Sequence, residues 1–361
     1  INDNNKQNKT YSESEKEFTM MCKPTANSYS YQSNAGPELV KNSDTTGIDE
    51  ASNSPPRNKV RVAIFTVVGS VAVNTALKVI ESRDDLEVAC VITCSGPRSK
   101  RSEQHIGVAQ ALYPIDPNID IIMSNKKTKY ATLMEAYEVD LVLTCVFPWL
   151  LPPSLTSNPN IRYGCINLHP SDLPKYRGPN PLGWAIVNGD DSICVTVHRM
   201  DGSFDTGPIL AQTSFHVGVN DGIFDIMRNG EEAFQFAIDK AITRTIKEDP
   251  GDSQEDKEAS EAPCFCPEFR LLDFEETSLN VHNKVRAWSR QPGYTPGALA
   301  SIEGKTVRIV KTFYCDDDER SNPQSNSSDL PGTVVARNEE SGDFQVQCGD
   351  GCLTVLEWYE E

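Results

Sequence analysis

The chain has no run approaching the roughly 20 apolar residues that a membrane helix needs; its longest apolar stretches are strand-sized and broken by Thr, Gly or Pro. A helical membrane span is thereby excluded, and a soluble protein with no membrane partner is expected. A secretory signal is also missing ahead of the 11 cysteines. That odd, scattered set suits free thiols in a reducing compartment rather than a disulfide framework, so secretion is not expected. The CxxC pairs of zinc sites are absent too. Cys264 with Cys266 and Cys348 with Cys352 have other spacings and no neighbouring His, and read as small buried or linker thiols; no metal is expected. Positive charge is scarce: 34 Lys and Arg stand against 52 Asp and Glu, a formal net charge of −18. A surface this acidic repels phosphates and counts against a broad nucleic-acid footprint, although a local basic patch stays compatible because salt confines each charge to roughly 8–10 Å. There is no internal repeat.

What is present divides the chain. At 361 residues it exceeds what one hydrophobic core usually organises, and two folded domains are expected. Residues 1–58 are rich in Asn, Ser, Lys and Glu without apolar periodicity, the composition of a disordered tail. The first residue is Ile1 rather than Met, which suits a fragment; Glu13, Glu15 and Glu17 are unlike a mitochondrial presequence.

From Lys59, short β-branched runs alternate with helical stretches, the pattern of parallel strands joined by crossover helices. Strands are predicted at 59–66, 87–94, 119–123, 140–146 and 163–168, with helices near 70–83, 103–112 and 128–138. The runs are continuously apolar, which suits strands covered on both faces. Further strands at 193–200 and 208–217 precede one or two helices over 220–247. The fold class is therefore α/β, an open, mostly parallel Rossmann-like sheet over 59–248. Residues 249–263 are acidic, rich in small residues and without periodicity, a linker. Over 264–361 an extended piece and a helix near 278–288 lead into strand-like runs at 297–302, 306–313, 332–336, 344–347 and 352–358, which suggest a small OB-like β-barrel. Its polar insertion at 315–331 carries Asp316, Asp317, Asp318 and Glu319.

Residues 165–183 read CINLHPSDLPKYRGPNPLG. On a strand, Asn167 and His169 point to one face, at a carboxyl end where open α/β sheets place ligands. The prolines and Gly178 stiffen the following loop. Downstream, MDGSFDTGPIL puts Asp205 in a turn between strands, from which a carboxylate can be turned inward to meet His169. An amide, an imidazole and a carboxylate suit transfer of a one-carbon acyl group to an amine. Asn167 and a protonated His169 would stabilise the oxygen that gains charge, while Asp205 would raise the His169 pKa and help take the proton the amine loses. No Ser or Cys nucleophile with a base lies in this stretch, so direct transfer is expected. On spacing alone the same residues fit a satisfied polar pair at a sheet edge and a plain turn.

The run NLHPSDLPKYRGPNPLGWAIVNGD followed by FDTGPIL resembles the signature of the folate-dependent formyltransferase family, close to N-x-H-x-S-x-L-P-x-x-R-G with a D-x-G downstream. The resemblance implies a formyltransferase fold, 10-formyltetrahydrofolate as co-substrate, and Asn167, His169 and Asp205 as the catalytic trio. It implies that Ser171, Leu173, Pro174, Arg177 and Gly178 shape the loop. It also implies a folate pocket from Val146, Phe147, Pro148, Trp149 and Leu150 together with Gly202, Ser203 and Phe204. The stretch NVHNKVRAWSRQPGYTPG at 280–297 and the closing strands are similar to the second domain of the methionyl-tRNA formyltransferases within that family, which implies initiator methionyl-tRNA as acceptor. The loop GPRSKRSEQ is shorter than the family's basic loop; Arg98, Lys100 and Arg101 either serve it on the acceptor arm or form a solvated charged loop.

Against tRNA, residues 264–361 hold nine Lys and Arg and seventeen Asp and Glu, a net of −8, a poor general phosphate binder. Other acceptors of the same chemistry are an amino sugar on a nucleotide, or water in a 10-formyltetrahydrofolate hydrolase; a folate-binding module without catalysis is the alternative from another class. A monomer is expected, mitochondrial or plastid in a eukaryote and cytoplasmic otherwise.

Overall fold

The computed structural model describes residues 58–67, 69–94, 104–147, 149–289, 297–315 and 329–361. The expected amino-terminal tail, apart from its last residue, and the acidic stretch from Asp316 to Asp318 lie outside them.

The amino-terminal unit is a seven-stranded sheet. Its strands are β1 (Val60–Phe65), β2 (Leu86–Thr93), β3 (Ile121–Met123), β4 (Leu141–Cys145), β5 (Cys165–His169), β6 (Ser192–Arg199) and β7 (Ile209–His216), in the order β3-β2-β1-β4-β5-β6-β7. The pairings from β3 to β5 are parallel and the last two antiparallel. Apart from half-buried Val60 and Val88, the Val, Ile, Leu and Ala side chains of β1, β2 and β4 are buried because helices cover both faces. On one face lie α1 (Val71–Glu81) and α7 (Glu231–Ile246). Ser70 starts α1 by accepting from the Val73 N–H at 3.4 Å, one of the orphan donors of a helix start. From there Val73, Ala76, Leu77 and Ile80 recur on one stripe and are fully buried. Ala233, Phe234, Ala237, Ile238, Ala241 and Ile242 form the matching stripe of α7 in the same core. The opposite face is closed by Tyr130 and Met134 of α3 (Tyr130–Ala136) and by Leu151 and Leu155, the latter on α4 (Pro153–Thr156). The remaining helices here are α2 (Gln104–Leu112), α5 (Pro181–Val187) and α6 (Ile223–Asn229).

The order reverses between β1 and β4, and an open α/β sheet has its crevice at the carboxyl ends of such a pair. Just there, Val146 has φ +53° and Asp205, across the crevice, has φ +56°. Asp tolerates this left-handed region; a β-branched residue in it is strained by about 1–3 kcal/mol, a cost found mostly at functional positions.

The carboxyl-terminal unit holds five antiparallel strands: β8 (Ala298–Ile302), β9 (Lys305–Phe313), β10 (Val334–Arg337), β11 (Phe344–Gln347) and β12 (Cys352–Glu360). They form a sheet in the order β10-β11-β12-β9-β8 around their own apolar core. The helix α8 (Ser278–Trp288) joins it to the first unit by packing on α5, where Trp184, Phe265 and Trp288 lie in successive ring contacts of 5.2 and 5.3 Å. From α8, buried Arg286 donates to the carbonyls of Gly218 and Asp221, both at 3.1 Å. The segment 249–263, whose composition reads as a loose tether, is instead pinned. Arg244 holds Asp249 and Asp252, and Asp252 exchanges main-chain hydrogen bonds of 2.7 and 2.8 Å with Ile209.

No disulfide joins the cysteines among the described residues. No described helix is long and apolar enough to cross a membrane.

Candidate active site

Strand register builds the site. Asn167 of β5 stands opposite Thr144 of β4 on one side and His198 of β6 on the other, and His169 follows two residues along on the same face. These four polar residues stand among mostly apolar strand positions, and three of them, Thr144, His169 and His198, are at most 5% exposed. Buried polar groups must find partners, and here they find each other.

The Thr144 hydroxyl donates to Asn167 Oδ1, which orients the amide. Its Nδ2 then faces His198 Nε2 at 3.1 Å and Asp205 Oδ1 at 3.3 Å. His198 Nδ1 lies 2.8 Å from the Arg199 carbonyl, so the hydrogen sits on Nδ1 and Nε2 accepts from Asn167. His169 Nε2 lies 2.9 Å from the Tyr176 carbonyl; that nitrogen carries the hydrogen and leaves the Nδ1 lone pair toward Asp205 Oδ1, 3.6 Å away. Asp205 also accepts from the Gly178 N–H at 2.9 Å and stands 3.5 Å from His198. Gly207 completes its turn, since a Cβ there would meet the Arg199 carbonyl at 1.9 Å.

The charge states differ from the sequence expectation at one position. Burial pushes His169 below the ordinary imidazole pKa, outweighing the nearby Asp205 charge and the Tyr176 carbonyl. A neutral His169, rather than the expected imidazolium, is the resting form, because desolvation of the ring costs more than a carboxylate at 3.6 Å returns. Burial also pushes Asp205 up, but the His198 and His169 rings, when protonated, and the Gly178 N–H pull it net below the usual carboxylate range, so it is an anion at neutral pH.

A shallow cleft opens beside this cluster, lined by Phe147, Trp149, Leu150, Met200, Ser203 and Phe204 together with Asn167, His198 and Asp205. Of the residues expected around a folate, Phe147, Trp149, Leu150, Ser203 and Phe204 therefore line it. Val146 and Gly202 do not, and Pro148 lies outside the described residues. Phe147 is fixed edge-on against Phe65 and Trp149, both at 5.4 Å between centroids, which gives the wall a flat aromatic character suited to a planar heterocycle. Ser171 is not among the cleft-lining residues and ties its own loop by donating to the Lys175 carbonyl at 2.8 Å. The Arg177 side chain, expected at the substrate loop, is turned to Gln254 and Asp256. Arg98, Lys100 and Arg101 lie outside the described residues. Among the described residues no group of three or more His, Cys, Asp or Glu is placed to hold a metal ion.

Residues 60–242 match the family model described as formyl transferase, and residues 266–361 match the model of the formyl transferase C-terminal domain. The chain belongs to the formyl transferase family. Within it, the chain is 26% identical over 302 residues to a methionyl-tRNA formyltransferase of Geobacter metallireducens, an alignment covering 81% of this chain and 89% of that one. With the methionyl-tRNA formyltransferase of Pelobacter propionicus it shares 31% identity over 225 residues, 60% of this chain and 63% of the relative. The fold is shared with an N-formyltransferase from Helicobacter canadensis whose structure holds folinic acid and dTDP-3-aminofucose, at a TM-score of 0.57 and 20% identity over 83% of this chain and 100% of that one.

Motif reading missed Thr144, His198 and Met200. The signal available was weak: a Thr in LVLTC and a His in ICVTVHR, whose alignment with Asn167 depends on register.

Proposed function

We propose that the chain transfers a formyl group from 10-formyltetrahydrofolate to the α-amine of methionine on initiator tRNA, in translation initiation of organellar or bacterial type. The observation that carries the chemistry is the convergence of Asn167, His169 and Asp205 next to a cleft walled by Phe147, Trp149 and Phe204. The names of the relatives and the match of a second domain support the acceptor.

The geometry suggests how the steps divide. The pterin sits along the aromatic wall with its formyl group over Asn167. When the neutral amine attacks the formyl carbon, the carbonyl oxygen gains charge. Asn167 Nδ2 gives it the hydrogen of its longer contact, the 3.3 Å one to Asp205, while Thr144 and His198 hold the amide in place. Such a positioned donor is worth several kcal/mol, about 3 in comparable sites. His169 enters as the base, since its Nδ1 lone pair is free in the neutral form. It takes the proton that the amine nitrogen loses, directly or through one water, and the imidazolium formed is held by Asp205 and the Tyr176 carbonyl. As the C–N10 bond breaks, that proton passes to N10. The amine has then lost one hydrogen and gained formyl, and tetrahydrofolate leaves with the hydrogen.

A second reading keeps the chemistry and changes the acceptor to an amino sugar or water. It is favoured by charge: in the carboxyl-terminal unit Lys284, Lys305, Arg308 and Arg337 each lie against a carboxylate, which leaves these four poor partners for tRNA phosphates. Tetrahydrofolate release from 10-formyltetrahydrofolate, followed with charged initiator tRNA, with an amino-sugar nucleotide and with no amine, separates the readings. Release with the tRNA alone supports the first; release without amine, or with the sugar alone, replaces it; no release under any condition points to a binding module. In the tRNA case, Arg98→Ala with Lys100→Ala weakens tRNA use and leaves folate affinity unchanged.

A further inference from the structure

The segment between the two units touches the supports of both Asp205 and His169. Gln254 donates from Nε2 to the carbonyls of Asp205, at 2.9 Å, and Gly207, at 2.8 Å. It thus spans the turn in which Asp205 holds its left-handed conformation. The other end of the same amide, Oε1, accepts from Arg177 Nε at 3.1 Å and Nη2 at 2.7 Å. A few residues on, Ser260 accepts at its carbonyl from the Arg177 N–H at 2.8 Å and at its hydroxyl from the Tyr176 N–H at 2.9 Å. Tyr176 is the residue whose carbonyl orients His169. The Ala262 N–H then donates to the Arg177 carbonyl at 2.7 Å, and the Asn180 N–H to the Ala262 carbonyl at 3.0 Å. Between these bonds sits Gly178, the N–H donor to Asp205. At φ +117°, a Cβ on Gly178 would stand 3.1 Å from the Ala262 carbonyl oxygen, so the strap backs directly onto the catalytic loop.

We infer that residues 252–262 are a positioning element of the active site, with Gln254 as the residue that fixes the Asp205 turn against the 176–180 loop. The inference rests on the role given to Asp205 above. Gln254 touches no reacting atom. Its amide plane is held by the Arg177 fork, and its two donors reach main-chain oxygens that a turn of this kind otherwise leaves to solvent. With these bonds removed, the Asp205 carboxylate drifts relative to His169 and Asn167, and displacements on the order of 1 Å near a reacting centre cost up to about a hundredfold in rate. The strap runs on into Pro263, whose carbonyl accepts from Trp184 Nε1 at 2.7 Å, and into Phe265 at the junction with α8. Where the carboxyl-terminal unit sits is thereby felt at the catalytic carboxylate.

The test uses the full chain with Gln254→Ala, Gln254→Glu and Asp205→Asn, measuring kcat, KM for 10-formyltetrahydrofolate and thermal unfolding at about pH 8, well above the ordinary glutamate pKa. Gln254→Glu keeps two oxygens for the Arg177 fork but has no hydrogen for the carbonyls of Asp205 and Gly207. Both Gln254 variants should lose at least about tenfold in kcat with KM within about twofold of the parent. A Gln254→Glu protein with the parent kcat overturns the inference, because the strap is then only attached and does not hold the turn. A loss confined to KM overturns it as well. If Gln254→Ala does not fold, Gln254→Glu decides alone. Full turnover by Asp205→Asn defeats the catalytic reading itself, whereas a dead Asp205→Asn beside an active Gln254→Glu defeats only the strap.

Discussion

In the amino-terminal sheet the buried carboxylate of Asp205 is met by two imidazoles, an amide and a main-chain N–H, whereas in the carboxyl-terminal sheet exposed carboxylates meet lysine and arginine: Lys305 with Glu360 at 3.0 Å and Arg337 with Glu303 at 2.9 Å. Exposed pairs of the second kind contribute at most about 1 kcal/mol and are readily screened. The buried cluster is neither screened nor cheaply rearranged, so a proton moving within it changes the energy of the whole group. The contrast teaches where function can reside in a chain with net charge −18: in polar groups taken out of water and set against one another, while charge at the surface serves mainly hydration.

The largest break in that comparison is expected from His169→Ala and Asp205→Asn. Each should lower turnover at least about a hundredfold, the scale of a positioned acid–base group, with circular dichroism and the unfolding midpoint close to the parent. Near-parent rates in both would dissolve the distinction between the sheets. In the same site, kcat of the parent should fall on acidification only below the ordinary imidazole range, because burial lowers the His169 pKa and the base must be unprotonated. Asp205→Glu, if it retains activity, should keep that limb, and a limb lying above the ordinary range would reverse the assignment.

Stability supplies the next test. His282, on α8, is buried between Thr312 and the Val219 carbonyl, and burial drives its pKa down to about 4. Since the unfolded chain takes a proton near pH 6.5 and the folded chain only near 4, stability is complete above the higher value and drains as pH falls between the two. The total is roughly 3 kcal/mol, from about 1.4 kcal/mol per pKa unit. Denaturant unfolding at stepped pH should show this slope, and His282→Gln should flatten it; an unchanged slope would place the titration elsewhere.

His198→Ala should cost about tenfold in kcat, because Asn167 loses the acceptor that holds one of its hydrogens while the oxyanion donor itself remains. A loss only in KM would make His198 a wall of the cleft and nothing more. Least affected should be Lys305→Ala and Arg337→Ala, with KM for the acceptor within about twofold of the parent, since both cations already face carboxylates. A larger rise with charged tRNA would show that those pairs open for phosphate.

Much of the fold was legible because local pattern carries it. Apolar runs placed each strand of the first sheet within a few residues, and the Ser70 cap and the Val73, Ala76, Leu77, Ile80 stripe are visible as spacing. The trio Asn167, His169 and Asp205 was legible as a motif, and the structure brings its members together. The ionisation of His169 was not, since it turns on how deeply the ring is buried, which spacing does not encode. Nor was the docking of 249–263, where Gln254 and Ser260 find partners about 50 and 80 residues away.

What the sequence alone determined is therefore the order of the strands and of every helix except α4 and α5, the division into two units and the identity of the three polar residues at the carboxyl edge of β5 and in the turn before β7, because periodicity and turn chemistry act over a few neighbouring residues. Tertiary structure decided that His198 and Thr144 flank Asn167, that His169 rests neutral and that an acidic strap clamps the Asp205 turn. Those outcomes depend on register between distant strands and on the removal of water, and both come into being only when the chain has closed on itself.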